Sequence, residues 1–134
     1  MKVCVTAISN SLDASVDPHF GRCLYFIIID GDSTEFTILK NASAFSSDGA
    51  GVQAAQLILN REIDVLITGY IGPKAFSILS SKGIDVLTFA DGSVSDALTD
   101  CKSNVLEKLD TSNSPVKERY EVPVRRIPRT WELI

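Results

Sequence analysis

The sequence lacks several features that would assign it quickly to a class of proteins. Its 134 residues include one histidine and three cysteines. The cysteines form no CxxC pair, so neither a structural zinc site nor thioredoxin-like chemistry is indicated. No apolar run approaches the ~20 residues that a membrane span requires, and the apolar stretch at the start is too short for a secretory signal. These absences predict a soluble cytoplasmic protein, without a membrane partner, in a reducing compartment.

Positive charge is scarce in most of the chain. The net charge is −4 at neutral pH. Residues 1–110 contain 8 Lys and Arg against 14 Asp and Glu, whereas residues 111–134 contain 5 against 3. An acidic body with a mildly basic tail argues against nucleic acid as a partner.

The composition suits one domain, because 134 residues that are 45% hydrophobic can bury one core. Strands alternate with helices, which predicts an α/β fold with a mixed sheet of five strands and about three helices. The second and third strands form a hairpin, and the third helix starts after Ser93 and carries its apolar stripe to Val105 or Leu109. The strand patterns occupy residues 2–8, 24–30, 34–40, 64–68 and 84–89, and the first two helical patterns occupy residues 52–63 and 73–83.

The pattern changes after residue 109, which predicts a domain over residues 1–109 and a C-terminal tail over residues 110–134. Pro115, Pro123 and Pro128 punctuate the tail and favour an extended chain. The tail also contains apolar side chains, among them Trp131. It could therefore pack on the body or join two copies as a homodimer.

Two strand-to-helix junctions are rich in glycine: Gly49-Ala50-Gly51 and Gly69-Tyr70-Ile71-Gly72-Pro73. Glycine allows a ligand to approach the backbone, and the first turn of a helix offers unpaired N–H groups to an anion. Neither stretch matches a dinucleotide-binding or P-loop motif. Glycines that only make tight turns would give the same pattern, so both interpretations stay open.

The stretch VDPHFGRC, residues 16–23, concentrates reactive side chains in one loop. His19 and Cys23 could bind the same metal, and Arg22 could neutralise an anion. Two ligands do not complete a tetrahedral site, unless a cofactor brings inorganic ligands of its own. Alternatively, Pro18 and Gly21 shape a turn and the His19 side chain forms a hydrogen bond with the backbone. We expect Cys23 to be accessible and activated by Arg22, whereas Cys4 and Cys101 should be buried in apolar surroundings.

These pieces together resemble the dinitrogenase iron-molybdenum cofactor biosynthesis family. The similarity covers about residues 1–108 and lies in PHFGRC, YFIIID and GAGVQAAQLILNREIDVLITGYIGPKAFSIL. It implies a ribonuclease H-like α/β fold and proteins that bind or carry iron-sulfur or iron-molybdenum clusters without catalysing a reaction. Proteins that donate or accept such clusters would be the partners. A role in nitrogen fixation does not follow, since many members of the family occur where it is not established.

The leading hypothesis is therefore a nitrogenase accessory-like carrier of a metallocluster. Its metal ligands would be His19 and, second, Cys23; its cofactor-binding residues would be Arg22, Gly49, Gly51, Gly69 and Gly72. An alternative is a module that binds a small anionic or phosphorylated ligand at the same glycines. A third is a two-metal nuclease, for which Asp30, Asp64 and Asp85 are the candidate carboxylates.

Overall fold

Six strands form one mixed sheet in the computed structural model, which describes residues 1–114 apart from residues 32, 34, 47 and 90. The strand order is β3-β2-β1-β4-β5-β6, with β1, β4 and β5 mutually parallel and the other pairs antiparallel. The strands are β1 Lys2–Ala7, β2 Tyr25–Asp30, β3 Phe36–Lys40, β4 Val65–Thr68, β5 Asp85–Thr88 and β6 Glu107–Lys108, and the helices are α1 Ala50–Leu59, α2 Pro73–Ser81 and α3 Val94–Lys102.

Helices cover both faces of the central strands. Alternate residues of β1 point to opposite sides, so Cys4 joins a core cluster with α1 and α2, while Val3 and Val5 join one with α3. Burial on both faces explains why the central strands are continuously apolar rather than alternating. The carboxyl ends of β1 and β4 lie together at one edge of the sheet, and the loops that follow them form the candidate site.

Local signals set the starts of α2 and α3 as the sequence predicts, whereas α1 spans Ala50–Leu59 instead of the predicted residues 52–63. Ser93 and Asp96 form a reciprocal capping box at α3, with Asp96 N–H donating to Ser93 Oγ at 3.0 Å. Pro73 occupies the first turn of α2, where its missing N–H costs no helical hydrogen bond. Within the described residues, no helix has the length and apolar content that crossing a bilayer would require.

The predicted α/β class, mixed sheet and three helices are confirmed, but the prediction of five strands is wrong. Helix α3 ends at Lys102, and Asn104 then adopts a φ of 58°. Asparagine tolerates this left-handed conformation, which stops a helix. The chain turns back to pair β6 with β5, so Val105 is 66% exposed instead of continuing the apolar stripe. The ribonuclease H-like assignment stays a prediction.

The predicted boundary between the domain and the tail falls near the end of the described region. Residues 115–134 lie outside the described residues, and with them the tail's predicted role in a homodimer. The first residues after the boundary are described, however. Asn113 and Ser114 both contact the loop that follows β4.

Candidate functional site

The loop with the single histidine is fixed against the glycine-rich loop after β4. Phe20 N–H donates to Tyr70 O at 3.0 Å, and Tyr70 N–H donates to Pro18 O at 2.6 Å. A Cβ on Gly69 would lie 2.7 Å from Pro18 Cα, which no side chain could tolerate. Gly69 is therefore needed for close packing between the two loops.

The same loop also packs on the first turn of α1. A Cβ on Gly21 would lie 2.9 Å from both the N and the Cα atom of Gly51. Asn41 holds the end of the loop, since its Nδ2 donates to Gly21 O at 3.1 Å and to Cys23 O at 2.8 Å. These contacts join residues 16–23 to both glycine-rich junctions.

A cavity of about 550 Å³ lies between the loop and the two helix starts. Arg22 and Lys74 supply two cationic side chains to its wall, and no described carboxylate lines it. Such a wall favours an anion over a cation. The lining residues are Phe20, Arg22, Gly49, Ala50, Gly51, Val52, Gly72, Pro73, Lys74, Ala75 and Ser114.

Both helices present uncapped N-termini to this cavity. The residues that precede them, Gly49 and Gly72, carry no side chain that could cap a backbone N–H group. Unpaired N–H groups and the helix dipole together create a partial positive charge at each start. Gly49 has a φ of 68°, whereas Gly72 is extended and a Cβ there would meet no atom within 4 Å.

Arg22 lines the cavity and also forms hydrogen bonds with a neighbouring segment. Its Nη1 donates to Ala44 O at 3.3 Å and to Ser46 O. These bonds tie residues 44–46 to the site. A guanidinium has five N–H donors, so these two contacts leave others for a ligand.

His19 is accessible but does not line the cavity. Its side chain is 66% exposed, and Nδ1 lies 3.8 Å from Asp17 Oδ1. Its ring packs against Tyr70 with 6.1 Å between centroids. The residue next to it, Phe20, does line the cavity. An exposed imidazole is available to a metal, and ligation by His19 stays a prediction.

The expectation of an accessible, activated thiol at Cys23 is wrong. The side chain is fully buried in the core cluster that contains Cys4 and Phe20. Burial and, second, the negative charge of Asp17 raise the pKa of Cys23 to about 12, although a hydrogen bond from Asn41 opposes this. Arg22 points to residues 44–46 and does not activate the thiol. A metal could reach Cys23 only if the end of the loop moved. Cys4 and Cys101 are buried as predicted.

The described side chains do not form a conventional metal site. No three His, Cys, Asp or Glu residues within the described part of the chain are grouped so that they could hold an ion. The three carboxylates of the nuclease hypothesis are engaged separately: Asp30 with the N-terminus at 3.6 Å, Asp64 with Lys2 N–H at 2.8 Å and Asp85 with Lys108 at 3.2 Å. Asp64 and Asp85 precede or begin parallel strands, at the end of the sheet opposite to the cavity.

Sequence reasoning missed Lys74, Asn41 and the segment at Asn113. The position of Lys74 just after Pro73 at the start of α2 was a usable signal, because a cation there faces whatever the helix N-terminus binds. Asn41 and Asn113 offered none, since the carbonyl groups to which their side chains donate are 18 to 44 residues away in the sequence.

Comparison with known proteins identifies the family of the chain. The sequence profile of the dinitrogenase iron-molybdenum cofactor family matches residues 1–104. An uncharacterised protein of Methanocaldococcus jannaschii is 32% identical over 113 residues, which cover 82% of this chain and 92% of that protein.

Two solved structures are similar to the whole described fold. The apo form of the orange protein from Desulfovibrio gigas superposes with a TM-score of 0.81 and 35% identity, covering 84% of this chain and 96% of that one. A candidate NifB protein from Thermotoga superposes with a TM-score of 0.74 and 28% identity, again covering 84% of this chain and 96% of that one. The chain belongs to the dinitrogenase iron-molybdenum cofactor family.

Proposed function

We propose that this protein is a non-enzymatic carrier of an anionic metallocluster of the iron-sulfur or iron-molybdenum type. The observation that carries the proposal is the cavity of about 550 Å³, where two uncapped helix N-termini meet Arg22 and Lys74. Its volume lies within the ~300–1,000 Å³ typical of sites for small ligands. The cluster is cargo, received from one protein and delivered to another.

The donor set explains how such a cargo would be held. Metal-sulfur clusters with inorganic sulfide ligands are anions, and backbone N–H groups and cations bind them without displacing those ligands. Within the described residues, no three His, Cys, Asp or Glu side chains are grouped as metal ligands, so the cluster would keep its own inorganic ligands. His19, which precedes the cavity residue Phe20, would add at most one protein ligand to the cluster. Arg22 and the N–H groups after Gly49 and Gly72 would neutralise the charge.

The setting fits a carrier in the cytoplasm. The three cysteines are free and buried, so the protein needs no oxidising compartment. Membership of the dinitrogenase iron-molybdenum cofactor family and the similarity to the orange protein support a role in cofactor handling. A donor or acceptor protein would have to contact the loops around the cavity in order to exchange the cargo.

A second candidate function uses the same cavity without a metal. N–H groups at helix N-termini and cationic side chains also bind phosphate. The absence of a described three-ligand group is equally consistent with a small phosphorylated ligand.

Metal analysis of anaerobically purified protein separates the two functions. Protein expressed with ample iron and molybdenum should carry metal and a visible absorption band. Lys74→Glu should remove most of this metal, whereas Lys40→Glu, with the same change of charge on the exposed strand β3, should not. Metal-free protein that carries a phosphorylated compound, detected by mass spectrometry, would favour the second function. Equal metal content in both variants would contradict the cavity as the binding site.

A further inference from the structure

A short segment beyond the family-matched region reaches the site. After β6 the chain continues along β5, where Leu109 N–H donates to Val86 O at 2.9 Å. It then crosses to the loop after β4. We call residues 110–114 the strap. The family match ends at residue 104, so the strap lies beyond the matched residues.

The strap pairs with Ile71 through both of that residue's backbone groups. Ile71 N–H donates to Asn113 Oδ1 at 2.9 Å, and Ile71 O accepts from Asn113 N–H at 3.2 Å and from Ser114 N–H at 3.1 Å. Asn113 Nδ2 also donates to Gly69 O at 2.8 Å. Ile71 is 1% exposed. Water cannot easily replace these bonds, and losing one would leave a buried polar group unpaired.

The position of Ile71 connects these bonds to the cavity. Ile71 precedes Gly72, the N-cap residue of α2. The peptide planes around Ile71 therefore set the direction in which the first turn of α2 meets the cavity. Ser114 itself forms part of the cavity wall.

We propose that the strap completes the binding site, with Asn113 as a positioning residue that holds residues 69–72 in their binding conformation. The proposal deepens the proposed function and depends on it for the identity of the ligand. A loop that is already ordered does not lose conformational entropy on binding, so the strap increases affinity without touching most of the ligand.

The test compares Asn113→Ala with Thr111→Ala in the full chain. Thr111 is an exposed strap residue, so its variant controls for changes to the segment itself. Hydrogen exchange at the Ile71 amide is measured without ligand, and affinity is measured with tetrathiomolybdate, a simple molybdenum-sulfur anion. Asn113→Ala should accelerate exchange and weaken binding by about tenfold or more each, and the lost bonds should also lower the melting temperature, while the protein stays folded under the conditions of the assays.

A third variant separates the two hydrogen-bonding roles of the Asn113 side chain. Asn113→Asp keeps an acceptor for Ile71 N–H but cannot donate to Gly69 O, and it adds a negative charge next to the cavity. Hydrogen exchange at the Ile71 amide should be slower in Asn113→Asp than in Asn113→Ala. The added negative charge should nevertheless keep its affinity for the anion no higher than that of Asn113→Ala.

Two results would overturn the proposal. Unchanged exchange at Ile71 in Asn113→Ala would show that the strap does not position the loop. Faster exchange with full affinity would show that the loop's conformation does not matter to the site. Failure of the wild type to bind tetrathiomolybdate would count against the proposed function, whereas the positioning role would still be decided by the exchange at Ile71.

Discussion

His19 and Cys23 lie four residues apart in one loop, yet their side chains have opposite surroundings. The imidazole is 66% exposed, whereas the thiol is buried beneath the loop. The cause is the left-handed turn at Gly21, whose φ is 100°, followed by the bonds from Asn41 to Gly21 O and Cys23 O. Reversal of the chain at this turn sends the next residues into the core.

The buried thiol predicts a loss of stability at high pH. The folded state raises the pKa of Cys23 from 9.0 to about 12, so the folded protein keeps this proton longer than the unfolded chain. Its contribution to stability is complete below pH 9 and is lost as the pH rises toward 12. One thiol changes the free energy of unfolding by about 1.4 kcal/mol per pH unit in this window.

Denaturant titrations of the wild type and of Cys23→Ala, at several pH values from 8 upward, check this prediction. The variant should show a shallower dependence on pH, whatever stability it loses through the smaller side chain. Parallel curves for the two proteins would show that Cys23 does not hold its proton more tightly in the folded state.

The exposed imidazole predicts a change in binding without a change in folding. If His19 ligates the cluster, His19→Ala should weaken binding by about tenfold or more, which is about 1.4 kcal/mol. Its contacts are with Asp17 and Tyr70 at the surface, so the melting temperature should hardly move. Cluster titration followed by absorption measures the affinity. Full affinity in this variant would remove His19 from the ligand set.

At the scale of elements, helices α1 and α2 begin in the same cavity but in different ways. Gly49, before α1, is left-handed, and a side chain in that conformation costs about 1–2 kcal/mol. Gly72, before α2, is extended ahead of Pro73, a conformation that any residue adopts. Substitutions at the two positions should therefore separate binding from stability.

Gly72→Val should reduce affinity far more than stability, because its side chain would enter the cavity without strain. We expect a loss of affinity of about tenfold or more and a change in unfolding free energy below about 0.5 kcal/mol. Gly49→Ala should instead lower stability by about 1–2 kcal/mol. Calorimetric titration and denaturant unfolding of both variants provide the measurements. Equal losses of affinity and stability in Gly72→Val would mean that this glycine serves only the turn.

The helices and central strands were predictable because their signals are local. Apolar spacing, Pro73 and the capping box at Ser93 each act within one turn of a helix. Strand β6 could not be predicted, since two residues with charged side chains form it only by pairing with β5. The burial of Cys23 was missed for a similar reason: it depends on Asn41, 18 residues away. Long-range contacts decide such cases, and the sequence around each residue does not show them.

At the scale of the whole molecule, the site is assembled from segments far apart in the chain. Its walls come from residues 20–22, 49–52, 72–75 and 114. A chain that has not folded cannot bring these segments together. The ligand should therefore bind the folded protein alone and stabilise it by the full linkage.

Saturating ligand should thus raise the free energy of unfolding by an amount that depends only on the ratio of the ligand concentration to Kd. At a concentration about 100 times Kd the increase should be about 2.7 kcal/mol. Denaturant unfolding with and without tetrathiomolybdate tests this expectation. A smaller increase at the same ratio would reveal binding to the unfolded chain, for which the three cysteines are the obvious sites.

The position of the strap also sets the order of folding and ligand binding. Because Ser114 contributes to the cavity and follows every strand and helix of the described fold, the cavity is complete only once these elements have folded, and the proposed cargo would bind only then. Hydrogen bonds between protein groups hold residues 69–71 without any ligand, so the cavity should keep its shape when it is empty. Under the proposed function, one molecule would therefore serve repeated rounds of delivery.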